Sequence, residues 1–387
     1  MTWARNVIAL GLLVGLLLSF LWPAATISAS AQSYTGRHLT LTAVLTIGDD
    51  ESRGAESLFV RPSWLALGPG GTVYVADTDL SVRVFGADGA FLRAIGSRGD
   101  GPGEFQHLSS FAVGAAGEVV AFDGRLNRLT VFDAAGVLAS TRQVPRTELI
   151  WPRRLAVRES GEVAFLASLP ERSSRDPRDS GNLLHTYPPD SSSKTGRALP
   201  RTLLGESERD AFYRSQFDMN PGNLAFGPAG LCWAPGLYEG RIHCRHDDGY
   251  ASLVGAVTQS SAETADCDSP PRAGRVQVFR ASEPTEVCGY LRVLSAGLHR
   301  LRDGRLLHLV YQSEAESGRL RYELFGSDGV LGAEGVLSPG GTVSWFYQPP
   351  IFFPALEGDR FLWAIEFTEQ AWVVRKYEIV IHNQDVQ

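Results

Sequence analysis

Leu65-Ala66-Leu67-Gly68-Pro69-Gly70-Gly71-Thr72-Val73-Tyr74-Val75-Ala76-Asp77 has a near copy in Phe111-Ala112-Val113-Gly114-Ala115-Ala116-Gly117-Glu118-Val119-Val120-Ala121-Phe122-Asp123. Each is a short apolar run, a glycine turn and a second apolar run ending in aspartate. Both continue the same way. Val82–Phe85 precedes the turn Ala87-Asp88-Gly89 and a fourth run, Phe91–Ile95; Leu129–Phe132 precedes Asp133-Ala134-Ala135-Gly136 and Val137–Thr141. Short runs rich in β-branched and aromatic residues, separated by Gly and Asp, read as four antiparallel strands joined by tight turns.

The unit returns in looser form. Leu155–Val157 precedes Gly161, Leu224–Phe226 precedes Gly230, Leu298–Leu301 precedes Gly304, and Ile351–Phe353 precedes Gly358. Gly71 and Gly117 complete a set of six turn glycines. A four-stranded unit exposes two apolar faces, and stacking around an axis buries both. The predicted fold is therefore all-β, a six-bladed β-propeller of four-stranded antiparallel blades. Leu39–Ile47 has no strands of its own before it, whereas the last unit ends soon after Tyr377–Ile381. The N-terminal strand is expected to complete the last blade and close the ring, removing two open sheet edges.

The 387-residue chain opens with Arg5, the apolar run Val7–Leu21 and the small-residue site Ala29-Ser30-Ala31. That order of features is a secretory signal peptide, with cleavage expected after Ala31. The run is shorter than the ~20 apolar residues that span a bilayer. The expected organisation is residues 1–31 as signal peptide and 32–387 as a single propeller domain, secreted or periplasmic, with no membrane span in the mature chain. A formal net charge of −7, with lysine only at Lys194 and Lys376, argues against a broad nucleic-acid footprint. The mature chain is expected to be a monomer.

Blades one and two resemble NHL-repeat propellers of bacterial and other proteins, within the wider TolB-like superfamily. The residues that carry the resemblance are Val73–Asp77, Val84-Phe85 and Asp88-Gly89 in blade one. In blade two they are Asp123, Asn127, Arg128 and Val131-Phe132. It covers roughly residues 58–141. Blade one has Leu80-Ser81 where that family usually carries Asn and His or Arg. The resemblance implies a fold shared by binding scaffolds, sugar-lactone hydrolases and lyases, and leaves function open.

Three segments exceed the minimal blade: Pro170–Gly181, Gly205–Met219 with a short helix predicted near Gly205–Tyr213, and Thr258–Val287. All three fall on connections that emerge at one rim. They read as a lid or recognition surface, or as neutral loop growth. The four cysteines lie in the same sector. Cys232 and Cys244 flank a hairpin turn near residue 238 and align with Val73 and Val84 of blade one, which predicts a disulfide. Cys267 and Cys288 would then close the long insertion. A metal site using His243 and His246 with Cys244 is the competing reading, weakened because alternate strand residues face opposite ways.

Catalytic signatures are missing from the sequence. It has no Gly-x-Ser-x-Gly, no His-Glu-x-x-His, no phosphate loop and no EF-hand loop, and no cofactor is implied. Gly96–Gly103, with its Arg98-Gly99-Asp100, reads as a turn between blades. The remaining candidate is the channel mouth, where the innermost strands begin. Counting five residues back from the inner-strand alanines gives Arg61, His107, Trp151 and Asn220, with Arg153 and Arg154 nearby. Ser295 and Pro349 stand at that level in blades five and six. A basic and aromatic set suits an anionic or sugar-like small molecule or an acidic peptide. Side chains that merely fill the channel are the plainer alternative. The expected function is a non-catalytic binding or interaction module. A lactonase-like hydrolase or lyase, or a scaffold for another envelope protein, are the alternatives.

Overall fold

The computed structural model describes residues 37–144, 154–158, 161–166, 182–187, 195–200, 222–227, 230–246, 249–258, 262–265, 275–279, 286–301, 303–313, 318–339, 355–368 and 371–383. Blade one is built from Trp64–Leu67, Val73–Ala76, Val82–Phe85 and Phe91–Ile95, hydrogen-bonded in that order. Blade two follows with Leu108–Val113, Val119–Asp123, Arg128–Phe132 and Leu138–Gln143. Blade three contains Arg154–Val157, Val163–Leu166, Asn182–Tyr187 and Thr195–Pro200, and blade four Asn223–Gly227, Gly230–Ala234, Arg241–His246 and Gly249–Val254. Blade five runs Val293–Arg300, Leu306–Ser313, Gly318–Phe325 and Leu331–Pro339. Ala355–Glu357, Phe361–Phe367 and Trp372–Asn383 form the last blade, and Arg37–Ile47 is its fourth strand. This is a β-propeller.

Ring closure takes the expected form. Arg37–Ile47 runs antiparallel to the C-terminal strand, from Arg37 opposite Asn383 to Ile47 opposite Val374. The same strand also touches blade five, through the parallel bridges Thr40–Ser338 and Leu41–Pro339. Blades five and six are thereby one eight-stranded sheet, so six four-stranded meanders make five hydrogen-bonded sheets with a blade each from one to four. The six innermost strands touch in sequence, and the last touches the first. They enclose the central channel.

The core lies in the seams between blades. Phe105, Phe111, Phe132, Tyr74 and Val84 pack blade one on blade two. Phe122, Phe165, Val120 and Leu155 pack two on three. Ile47, Phe59, Val73, Phe85 and Trp363 join six to one. All six predicted turn glycines have positive φ, from 61° at Gly358 to 129° at Gly230, which an L side chain rarely adopts.

Two further glycines show that the closing seam repeats an internal one. A Cβ at Gly48 would stand 2.9 Å from Phe59 Cδ2, and one at Gly96 would stand 2.4 Å from Phe105 Cε2. Each glycine ends an outer strand and lets the chain turn beneath the phenylalanine of the next blade. Gly96→Ala should therefore lower stability by roughly 1–3 kcal/mol through overpacking and strain at φ 76°. Chemical denaturation would measure the loss, and an unchanged midpoint would contradict this packing.

Cys232 and Cys244 stand directly opposite each other and form a disulfide. Their alignment to blade one needs correction. Cys232 faces Ala225 as Tyr74 faces Ala66, and Tyr74 is the partner of Val84. The blade-four cysteines thus occupy the Tyr74 and Val84 positions. The error arose because the turn of blade four is shorter than that of blade one. The bond rules Cys244 out as a metal ligand, and His243 instead stacks on Trp233 at 5.7 Å. Replacing both cysteines by alanine should cost about 3 kcal/mol by the chain-entropy estimate. Cys267 lies outside the described residues, and Cys288 lies on Glu286–Leu291, so their pairing is not described.

The long insertion after blade four forms a small sheet of its own. Ala262–Ala265 and Arg275–Phe279 flank Glu286–Leu291. Pro170–Gly181 and Gly205–Met219, including the predicted helix, lie outside the described residues. The inner strand of blade five begins at Val293, five residues before the expected Leu298, and that of blade six is Ala355–Glu357. Ile351–Phe353 and Pro349 lie outside the described residues. No helix among the described residues is long and apolar enough to cross a membrane.

Candidate functional site

The aspartate at the end of the second strand in blades one and two sets the approach to the channel. Asp77 is buried, and its carboxylate accepts from the backbone N–H of Val60, Arg61 and Thr78 at 2.9, 2.8 and 2.7 Å. Asp123 is wholly buried and accepts from Gln106, His107, Arg125 and Leu126. Each carboxylate pins the segment entering its inner strand to the turn leaving its second strand. Charge-assisted bonds of this kind are about twice as strong as neutral ones. Arg61 and His107 are held in place by their backbones, and both are exposed at the rim. The His107 ring meets Ser109 Oγ at 3.0 Å.

Further in, side chains at the starts of the inner strands reach from blade to blade. Trp64 of blade one donates its indole N–H to Phe111 O of blade two at 2.7 Å. Arg154 of blade three lays its guanidinium over the Trp64 ring, 4.5 Å from the centroid. Its Nε donates to Gly222 O at the start of blade four, at 2.8 Å. Asn223 then donates to Ser295 Oγ and O of blade five at 2.9 and 3.1 Å. Burial pushes the Arg154 pKa down to about 9, so it stays charged at neutral pH. A cation over an indole face gains roughly 0.5–2 kcal/mol, more as water is removed.

Of the expected set, Arg154 and Ser295 lie along this run of contacts, joined only through the neighbouring residues Gly222 and Asn223, and Arg61 and His107 are exposed where the chain enters the inner strands of blades one and two. Trp151, Arg153 and Asn220 lie outside the described residues. Trp64 was missed. Counting back from Ala66 overshot it, because the channel begins at the first residue of the inner strand and not in the preceding loop. An aromatic residue at that first position was the available signal.

A second polar constellation lies behind the mouth. Ser295 Oγ stands 2.9 Å from His308 Nε2, and His308 Nδ1 stands 3.0 Å from Glu323 Oε2. Tyr238 donates to the same Glu323 oxygen at 2.6 Å. The spacing resembles a Ser-His-acid triad. Its burial does not suit one: His308 has 0% exposure, Ser295 3%, and the Tyr238 ring covers the imidazole at 4.3 Å. The hydrophobic strand Leu306–Ser313 hid this group, although a histidine among leucines was a visible anomaly.

On the far face, a groove between blades six and one is lined by Val44, Asp88, Arg360, Phe361 and Lys376 among others. Its cations are engaged, Lys376 with Glu357 at 2.7 Å and Arg360 with Glu378 at 2.5 Å. The mouth is the better candidate.

A family model described as a 6-bladed beta-propeller matches residues 69–151. A member of the DUF4221 family from Bacteroides vulgatus superposes with a TM-score of 0.56 at 8% identity, covering 89% of this chain and 99% of that one. A candidate exported protein of Bacteroides fragilis gives 0.54 at 11%, covering 90% and 96%. Virginiamycin B lyase from Staphylococcus aureus gives 0.45 at 10%, covering 89% and 100%. At these identities the likeness concerns the fold. The sequence has no significant match among curated proteins.

Proposed function

We propose that this chain is an exported, non-catalytic propeller that binds an anionic or sugar-like ligand, or an acidic peptide, at the channel mouth. The observation that carries the reading is the Arg154 guanidinium stacked on Trp64 where the inner strands begin. A charged fork beside an aromatic face is the chemistry that recognises a carboxylated or sulfated sugar. Arg61 and His107 at the rim extend it outward. The low-dielectric walls of a channel concentrate the field of such groups, so anions are favoured locally despite the net charge of −7. Export rests on the leader at residues 1–31, together with the fold shared with a candidate exported protein.

The test is calorimetric titration of the mature protein with uronic-acid and sulfated oligosaccharides, an acidic peptide and their neutral counterparts. The anions should bind, and Arg154→Ala should weaken them at least tenfold, since one charge-assisted bond is worth ~1.5–3 kcal/mol. Affinity should also fall with salt. Binding of neutral or cationic compounds alone would overturn the reading.

A further inference from the structure

We infer that Asn223, Ser295, His308, Glu323 and Tyr238 form a proton-sensitive clasp that fastens blade four to blade five at the stem of the inserted sheet.

The group spans five separate segments. Asn223 starts the inner strand of blade four, and Tyr238 lies in its second-to-third-strand connection. Ser295, His308 and Glu323 stand on the first, second and third strands of blade five, with His308 directly opposite Glu323 in the ladder. Glu323 Oε1 also accepts from the backbone N–H of Ala256 and Val257, at 2.7 and 3.3 Å. Those two residues are where the chain leaves blade four for the insertion. Ser295 lies where it returns, and its own N–H donates to Gly236 O at 2.9 Å. The clasp thus grips both the departing and the returning chain. A Cβ at Gly255 would stand 2.2 Å from Tyr238 Oη and 2.4 Å from Glu323 Oε1, so the backbone is closed tightly around the acid.

The bonding pattern fixes the protons. An ionised Glu323 accepts four N–H or O–H groups, so His308 Nδ1 must donate. In neutral imidazole Nε2 is then an acceptor, and Ser295 donates to it. Ser295 Oγ in turn accepts from Asn223. Every member is satisfied. Adding a proton at His308 Nε2 places a donor against the Ser295 hydroxyl, whose own proton then loses its acceptor. A buried network of this kind is sound when complete and costly when one bond is lost.

The ionisable groups facing His308 are Glu323, Tyr238 and His299. Burial holds His308 below its ordinary value, and Glu323 only partly opposes this. Burial would raise Glu323, but the bonds from His308, Tyr238 and Ala256 outweigh it and keep it lowered. Tyr238 is raised by burial and by Glu323, so it stays a donor. His299 is lowered to about 4 by burial and by its neighbour His308. A histidine with a depressed folded pKa destabilises the fold as pH drops below its unfolded value of about 6.5, because the open form then binds more protons. A lowered carboxylate acts in the same sense, at more acidic pH.

Hydrogen exchange of the mature chain at pH 7.5 and pH 5.0, corrected for intrinsic rates, tests the clasp. Peptides covering 222–227, 236–245, 253–258 and 292–297 should lose protection at least about tenfold. The Phe-rich seam of blades one and two is the internal control and should change little. A uniform loss over all blades, or none, would overturn the inference without any variant. His308→Asn, which keeps a donor toward Glu323 and does not titrate, should cut the acid response of peptides 222–227, 236–245 and 253–258, leaving only what His299 contributes. His299→Asn should retain it. The reverse assignment, or an unchanged response in His308→Asn, would also overturn it.

Discussion

Deleting residues 1–47 should abolish the cooperative unfolding transition of the whole domain, not only loosen one blade. Arg37–Ile47 supplies the outer strand of blade six and the bridge to blade five. Ile47 is completely buried between Phe59, Val73, Phe85 and Trp363. Without the strand, the ladder to Val374–Asn383 is lost and the six–one seam opens. A ring whose blades are each stabilised by both neighbours then has two free ends. Whole domains are stable by only about 5–15 kcal/mol, and the loss of a strand and a seam is of that order. Ile47→Ala is the graded version, expected to cost ~2–5 kcal/mol. Thermal unfolding followed by circular dichroism measures both. A truncated protein that melts like the chain beginning at residue 32 would show that the ring does not depend on this closure.

The second large effect is expected at the paired aspartates. Asp123→Ala would leave four backbone N–H groups without the wholly buried carboxylate that accepts from them. Each orphaned donor costs about 1–3 kcal/mol when buried. Partial rehydration limits the total to roughly 3–5 kcal/mol, at the severe end for a single substitution. Asp77→Ala should behave similarly, with Arg83 losing a charge 3.7 Å away. Both changes should also free the segments carrying Arg61 and His107. Ligand affinity at the mouth should then fall even in whatever fraction remains folded. Urea denaturation gives the stability term, and wild-type stability in Asp123→Ala would contradict the role of the carboxylate.

Much of the architecture can be read directly from turn chemistry. The glycines at 71, 117, 161, 230, 304 and 358 mark the first hairpin of each blade, since positive φ restricts the residue type there. Ring closure is legible because Ile47-Gly48 and Ile95-Gly96 solve the same packing problem against Phe59 and Phe105. The mouth is less legible. Inner strands differ in length, from three residues in blade six to eight in blade five. A fixed count therefore reaches a different level in each blade, and in blade one a count of five from Ala66 runs past Trp64 into the preceding loop. Blade five adds a bulge between Ser295 and Gly297 that moves its register. The clasp is hidden for a different reason. His308 and Glu323 stand on neighbouring strands and meet only through hairpin register, while Tyr238 reaches Glu323 and Asn223 reaches Ser295 from blade four.

The central claim is that the channel mouth receives an oxyanion at Arg154. Crystals of residues 32–387 soaked in selenate, whose selenium scatters anomalously, would test it most directly. The account predicts an anomalous peak within hydrogen-bonding reach of the Arg154 guanidinium, beside Trp64, that disappears in Arg154→Ala. Peaks confined to outer-surface arginines such as Arg360, with the mouth unoccupied at the same selenate concentration, would contradict it.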